Sequence, residues 1–222
     1  MYCESLSPKA IDQWQDIRPT QLYHFLKCFG YATNVVYIPY KRSLSREEQG
    51  REAHCWLQAM LATLLEVPKH CLRFKRTSFG EPYIPGVNIG FNISHCSQGL
   101  LIGISPESIG VDIAWFKKRL NLQALHERTS HPDLLTCYPE PAVQDILTFW
   151  SGKEAVLKAA GVGLKIEPSK LKMKLYKSLI YQVVYVGRKP YWLTWLPQIA
   201  DMIFSLSLTK RSPLLLWKIC SQ

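Results

Sequence analysis

Apolar residues along the chain recur with two different periods. Asn34 to Tyr40 (NVVYIPY) is a β-branched and aromatic run, the composition of a strand. Ser45-Arg-Glu-Glu48 then sets a hydroxyl three positions before a carboxylate, a pattern that lets a helix N-terminus satisfy its own orphan amides. Trp56, Leu57, Met60, Leu61, Leu64 and Leu65 follow at helical spacing until Pro68, which predicts a long amphipathic helix. From Leu72 to Ile113 the apolar runs are short and punctuated by Gly80, Pro82, Pro85, Gly86, Gly90, Gly99 and Pro106, the rhythm of an antiparallel sheet with tight turns. A second helix is predicted over Pro141 to Ala160, with Ile146, Leu147, Trp150, Val156 and Leu157 on its apolar side and Gly161 ending it. Leu171 to Ile219 returns to strands, among them Leu179 to Val186, Tyr191 to Leu196 and Met202 to Leu208. The order helix, strands, helix, strands predicts an α+β protein of two similar lobes, with the N-terminal stretch left unassigned.

Composition narrows the class. The 222 residues are 47% apolar and 20% charged, which excludes a mainly disordered, collagen-like or coiled-coil chain. No repeat, low-complexity tract or Gly/Ser linker divides the chain, so one compact two-lobed unit is expected. Lys and Arg outnumber Asp and Glu by 27 to 17, a net charge of +10. That surplus favours a polyanionic partner: nucleic acid, a phosphorylated small molecule, an acidic protein or an anionic membrane. No helix-turn-helix, aromatic RNA-binding motif or zinc knuckle supports nucleic acid, and Asp201 breaks the apolar stretch from Trp195 to Leu208, so no membrane span is expected. The seven cysteines are scattered without a CxxC pair, and Met1 to Asp12 lacks the apolar core of a signal peptide. A cytoplasmic protein without a nucleic-acid or membrane partner is the expectation.

Four segments carry candidate chemistry, and each has a plain structural alternative. Asp112, in Ser-Ile-Gly-Val-Asp-Ile, follows a strand-like run and taken alone reads as a turn former. Glu154 and Lys158, in Trp150-Ser-Gly-Lys-Glu-Ala-Val-Leu-Lys158, are four apart on the second helix, where a surface ion pair is the plain reading. Phe91-Asn-Ile-Ser-His95 offers a hydroxyl and an imidazole that could equally be ordinary hydrogen-bonded loop groups. Arg73-Phe-Lys-Arg76 runs into a Gly-containing turn and reads as a solvated strand edge. Together the four change weight. Two carboxylates are hard oxygen donors suited to Mg²⁺, which binds substrate phosphates while keeping several waters, and the nearby cations suit further phosphates.

Gly110-Val-Asp112, Phe149-Trp-Ser-Gly-Lys-Glu154-Ala-Val-Leu-Lys158 and the upstream Phe91-Asn-Ile-Ser-His95 resemble, in this order, the signature set of the 4′-phosphopantetheinyl transferases. The resemblance runs from about Ser45 to Leu208, with Gly161-Val-Gly-Leu closing the helix as in the family. Length and separate halves resemble the larger, surfactin-synthetase-activating type. That type implies a pseudo-twofold monomer of two lobes, each an antiparallel sheet packed with a long helix, here divided as residues 1–109 and 110–222. The resemblance implies Mg²⁺-dependent transfer of phosphopantetheine from coenzyme A to a serine of an acyl or peptidyl carrier protein, releasing adenosine 3′,5′-bisphosphate. Asp112 and Glu154 would hold the metal, Glu154 would take the serine proton, and Lys158 would neutralise the phosphate under attack. Ser94 and His95 would contact coenzyme A phosphates, and Arg76 and Arg51 match basic positions that grip the 3′-phosphate. Lys117-Lys118-Arg119 would meet an acidic carrier, with a solvated basic loop as the equal alternative. Two positions depart from the family pattern: Ala114 stands where a third carboxylate is common, and Gly80-Glu81-Pro82 replaces Gly-Lys-Pro. Those departures favour the alternative of a non-catalytic coenzyme A or carrier-protein binding module, whereas Lys153, Glu154 and Lys158 together favour an enzyme.

Overall fold

The predicted N-terminus of the first long helix is built as its sequence suggests. In a computed structural model of the protein, describing residues 13–116, 125, 127, 129, 141–173 and 182–220, helix α2 spans Arg46–Leu64. The Ser45 hydroxyl accepts from the Glu48 amide and the Glu48 carboxylate accepts from the Ser45 amide, at 3.3 and 2.8 Å. Ahead of it lie β1 (Gln15–Ile17), α1 (Pro19–Phe29) and β2 (Thr33–Pro39). The first two of these were not foreseen. The punctuated stretch gives β3 (Lys75–Arg76), β4 (Pro82–Tyr83), β5 (Gly90–Cys96), β6 (Gly99–Ser105) and β7 (Ile109–Trp115). Helix α3 (Val143–Ala159) follows, and then β8 (Gln182–Val186), β9 (Lys189–Ile199), β10 (Met202–Leu208) and β11 (Leu214–Ile219). Of the strand expected over 179–186, residues 179–181 lie outside the described residues. The basic run at Arg73 forms only the short β3–β4 hairpin rather than a full strand.

The expected pair of similar lobes is present. In the first, β2 leads into α2 and the chain returns through β5 and β6, giving neighbours β2-β6-β5. In the second, β7 leads toward α3 and the chain returns through β8, β9 and β10, giving β7-β10-β9-β8. The same strand–helix–hairpin unit is thus used twice, all antiparallel within each unit. One difference from expectation concerns the chain's end: β11 returns to the first sheet, where it runs parallel to both β1 and β2. The first sheet is therefore mixed, and residues 214–219 belong to it in space although they follow the second lobe in sequence.

Period-two alternation assigns the strand faces to three cores. Val36, Ile38, Leu100 and Ile102 pack against α1 and α2. Val35, Tyr37 and Leu101 meet Val111, Ile113, Phe204 and Leu206 between the two sheets. Tyr191 and Leu193 pack on α3. On α3 the fully buried aromatic is Phe149, whereas Trp150, expected on the apolar side, is half-buried. The sheets also meet at β5 and β7, where side chains replace a backbone ladder: Asn92 Oδ1 accepts from the Val111 amide at 3.1 Å and Ser94 Oγ from the Ile113 amide at 3.2 Å. No described helix is long and apolar enough to cross a membrane.

Candidate active site

Asp112 sits in the middle of β7, not at its end, and only 7% of it is exposed. This corrects its reading as a turn former. Gly110, two residues earlier on the same face, explains why α3 lies so close: a Cβ there would fall on the Ala155 carbonyl and the Ala159 amide. Ser151 and Ser205 add a hydroxyl pair at 2.9 Å across the same interface, so along β7 and β10 the helix and sheet meet through small and polar groups. The close approach brings Lys158 Nζ to 2.7 Å from Asp112 Oδ1, and Lys158 also donates to the Val111 carbonyl at 3.1 Å. Lys158 therefore pairs across the interface with Asp112 rather than along the helix surface with Glu154.

Glu154 stands one helical turn before Lys158 and is half-buried. Burial pushes its carboxyl above the usual range, the Asp112 charge pushes the same way, and the Lys158 ammonium opposes both. The two carboxylates thus occupy one electrostatic site. The first lobe adds two groups from β5. Ser94 Oγ donates to Asp112 Oδ1 at 2.8 Å, so its hydroxyl proton is directed at the carboxylate. His95 is exposed on its strand, with Nδ1 2.9 Å from Gln49 Oε1 of α2; partial desolvation of the ring, followed by the Lys158 and Arg46 charges, holds the imidazole below its ordinary pKa.

The other expected site residues lie apart from this group. Arg51 is exposed and ion-paired with Glu47 one turn earlier on α2. Arg76 is exposed and donates to the Gly80 carbonyl of its own hairpin at 2.7 Å. Lys117, Lys118 and Arg119 fall outside the described residues. Lys153 is fully buried and donates to the Thr129 carbonyl at 3.0 Å, so it anchors chain to α3 and is no part of the reacting surface. Glu81 is half-buried against Gly161, the glycine that ends α3 in the left-handed region at φ +66°, and burial raises its carboxyl pKa. Gln49, Ser151 and Ser205 are the additions the sequence did not single out.

Asp112 and Glu154 offer oxygen donors to a hard cation. Among the described residues no group of three or more His, Cys, Asp or Glu is placed to hold a metal ion, consistent with Ala114 on the same strand face as Asp112. Two carboxylates whose charges oppose each other still fit Mg²⁺, which completes its shell with water and substrate oxygens.

Residues 108–193 match the 4′-phosphopantetheinyl transferase superfamily. This segment contains Asp112, Glu154 and Lys158, while Ser94, His95, Arg51 and Arg76 lie before it. Among curated proteins, a 4′-phosphopantetheinyl transferase of Bacillus subtilis is 28% identical over 107 residues, covering 47% of this chain and 48% of the relative. The 4′-phosphopantetheinyl transferase Sfp of Bacillus subtilis strain 168 is 25% identical over 125 residues, covering 54% of this chain and 55% of its own. A phosphopantetheinyl transferase of Thraustochytrium is 30% identical over 128 residues, covering 49% and 44%. The chain spans about half the length of the curated relatives it matches.

Proposed function

We propose that the protein transfers the 4′-phosphopantetheine group from coenzyme A to a serine hydroxyl of an acidic acyl or peptidyl carrier protein, as a cytoplasmic monomer of the larger, surfactin-synthetase-activating type. The observation that carries this reading is the meeting of Asp112, Glu154 and Lys158 inside the segment that matches the transferase superfamily. The bond formed joins the serine oxygen to the phosphorus that bears pantetheine. The bond broken is that phosphorus to the bridging oxygen of the pyrophosphate, whose electrons leave with adenosine 3′,5′-bisphosphate.

Glu154 takes the serine proton; its raised carboxyl pKa makes it a stronger base than an exposed glutamate. Lys158, fixed by Asp112 and the Val111 carbonyl, holds positive charge where negative charge gathers on the transferring phosphate. Ser94 orients Asp112, and His95 lies near enough to Lys158 to feel its charge, which suits it to a neighbouring phosphate. Asp112 and Glu154 are the residues that would hold Mg²⁺, which when bound supplies charge neutralisation to the pyrophosphate oxygens. Arg51 and Arg76, both exposed cations, are assigned to the coenzyme A 3′-phosphate, and Lys117, Lys118 and Arg119 to the carrier. The division into coenzyme A-binding residues 1–109 and catalytic residues 110–222 follows the same assignment. A binding module without chemistry is the second reading, favoured by Ala114 and Glu81. Chromatographic detection of adenosine 3′,5′-bisphosphate separates the two. Release that needs coenzyme A, Mg²⁺ and an apo carrier together supports transfer; coenzyme A binding without release supports the module.

A further inference from the structure

Gln49 is a neutral residue on α2 with no place in the chemistry above, yet both ends of its amide are engaged. Its Nε2 donates to the Leu44 carbonyl at 3.0 Å, and a carbonyl can only accept. That bond fixes which way the amide faces: the atom 2.9 Å from His95 Nδ1 is the oxygen, which also can only accept. The proton between Gln49 and His95 must therefore sit on His95 Nδ1. A neutral imidazole has one N–H, so Nε2 of the neutral ring is left with a lone pair.

We infer that Gln49 is a positioning residue that locks neutral His95 in its Nδ1–H form, so that an anion can be bound through Nε2 only when the ring gains a proton. A phosphate oxygen and an imidazole lone pair are both acceptors and repel. Anion binding at His95 is thus coupled to proton uptake. The charged groups facing the ring are Lys158 from α3 and Arg46 from the first turn of α2, both of which disfavour the imidazolium in the free protein. Leu100, its partner on β6, is apolar. A bound phosphate reverses the balance, because its charge offsets both cations. The identity of the anion, coenzyme A, rests on the function proposed above; the tautomer does not.

The test has two arms. Long-range ¹H–¹⁵N NMR of ¹⁵N-histidine-labelled protein, assigned with His95→Gln, reads which ring nitrogen carries the proton. The wild type should show the Nδ1–H form alone at high pH. Gln49→Leu should give a mixture, while Gln49→Glu, which keeps an acceptor at that place, should retain Nδ1–H. An Nε2–H ring in the wild type, or a folded Gln49→Leu with an unchanged ring, overturns the inference. In the second arm, coenzyme A is titrated calorimetrically in buffers of different ionisation enthalpy above the imidazole pKa. Binding should take up about one proton per molecule in the wild type and distinctly less in Gln49→Leu. Equal uptake in both overturns the coupling. A locked tautomer in a protein that does not bind coenzyme A would instead sink the coenzyme A assignment and leave the lock standing.

Discussion

The two lobes repeat one topology but differ in how part of each helix meets its sheet. Against α2, the first sheet presents Val36, Ile38, Leu100, Ile102 and Ile104, and the helix answers with Leu57, Met60 and Leu61. Against α3, strands β7 and β10 of the second sheet present Gly110, Asp112 and Ser205, and the helix answers with Ser151, Ala155 and Ala159, while another flank of α3 packs on Tyr191 and Leu193. Large apolar side chains keep a helix at its ordinary distance from a sheet and leave no room for a polar group. Small residues let backbones approach, and the long Lys158 side chain can then reach a carboxylate rooted in the strand below. The difference teaches that both lobes close over an apolar core, while the second also keeps a thin strip along β7 and β10 that can hold charges. The first lobe still contributes at its edge strand β5, where Ser94 donates to Asp112 and His95 lies within reach of the Lys158 charge.

The largest expected effect comes from removing the charge that this comparison places at the reacting end of α3. Glu154→Gln keeps the shape but loses the proposed base and metal donor, and should slow transfer on the order of 10³-fold or more with thermal stability little changed. Steady-state rates at saturating coenzyme A would read this; near-normal turnover would mean the thin interface is structural only. Next is Gly110→Ala, which tests closeness itself. The added methyl collides with backbone of α3, so overpacking should cost about 3 kcal/mol in denaturant unfolding and separate Lys158 from Asp112. An unchanged midpoint would show that the approach is not the constraint.

Ser94→Ala probes the seam between lobes. It removes a hydroxyl that donates to Asp112 and accepts from the Ile113 amide, leaving a buried N–H without that partner. A loss of about 2 kcal/mol is expected by urea unfolding, with a modest fall in activity. The smallest effect sharpens the contrast from the α2 side, where charges sit on the surface. Arg42 and the Ser45 cap hold the Glu48 carboxyl down to about 2 from its ordinary 4.5. Because the folded pKa is the lower one, the stability it contributes is fully present above the ordinary value and fades as pH falls toward about 2. The melting-temperature gap between wild type and Glu48→Gln should therefore be steady near neutrality and close under acid. A gap that persists at the lowest pH would contradict the assignment.

Much of this was legible in the sequence because it is local. The Ser45 cap, the α2 stripe and the bounds of β10 all come from residues within a few positions of one another, where period and turn chemistry act directly. Asp112, Glu154 and Lys158 were visible as residue types at telling spacings, although their meeting is tertiary. What local patterning missed depends on distant contacts. The return of β11 joins residues about as far apart as the chain allows, and the Gln49–His95 contact joins residues 46 apart with no periodic signature. Trp150 was chosen for the apolar side and Phe149 is the buried one, because α3 is covered on more than one flank: Lys153 is itself enclosed and tied to Thr129. Helical period counts a single stripe and underestimates such a helix.

The proposed phosphopantetheinyl transfer by these two lobes is tested most directly by intact mass spectrometry of apo carrier proteins. Incubated with the protein, coenzyme A and Mg²⁺, at least one carrier from a fatty-acid, polyketide and nonribosomal-peptide panel should gain the mass of one phosphopantetheine, and the gain should vanish with EDTA and with Glu154→Gln. A panel left wholly unmodified, beside full modification by a known transferase under the same conditions, would contradict the account.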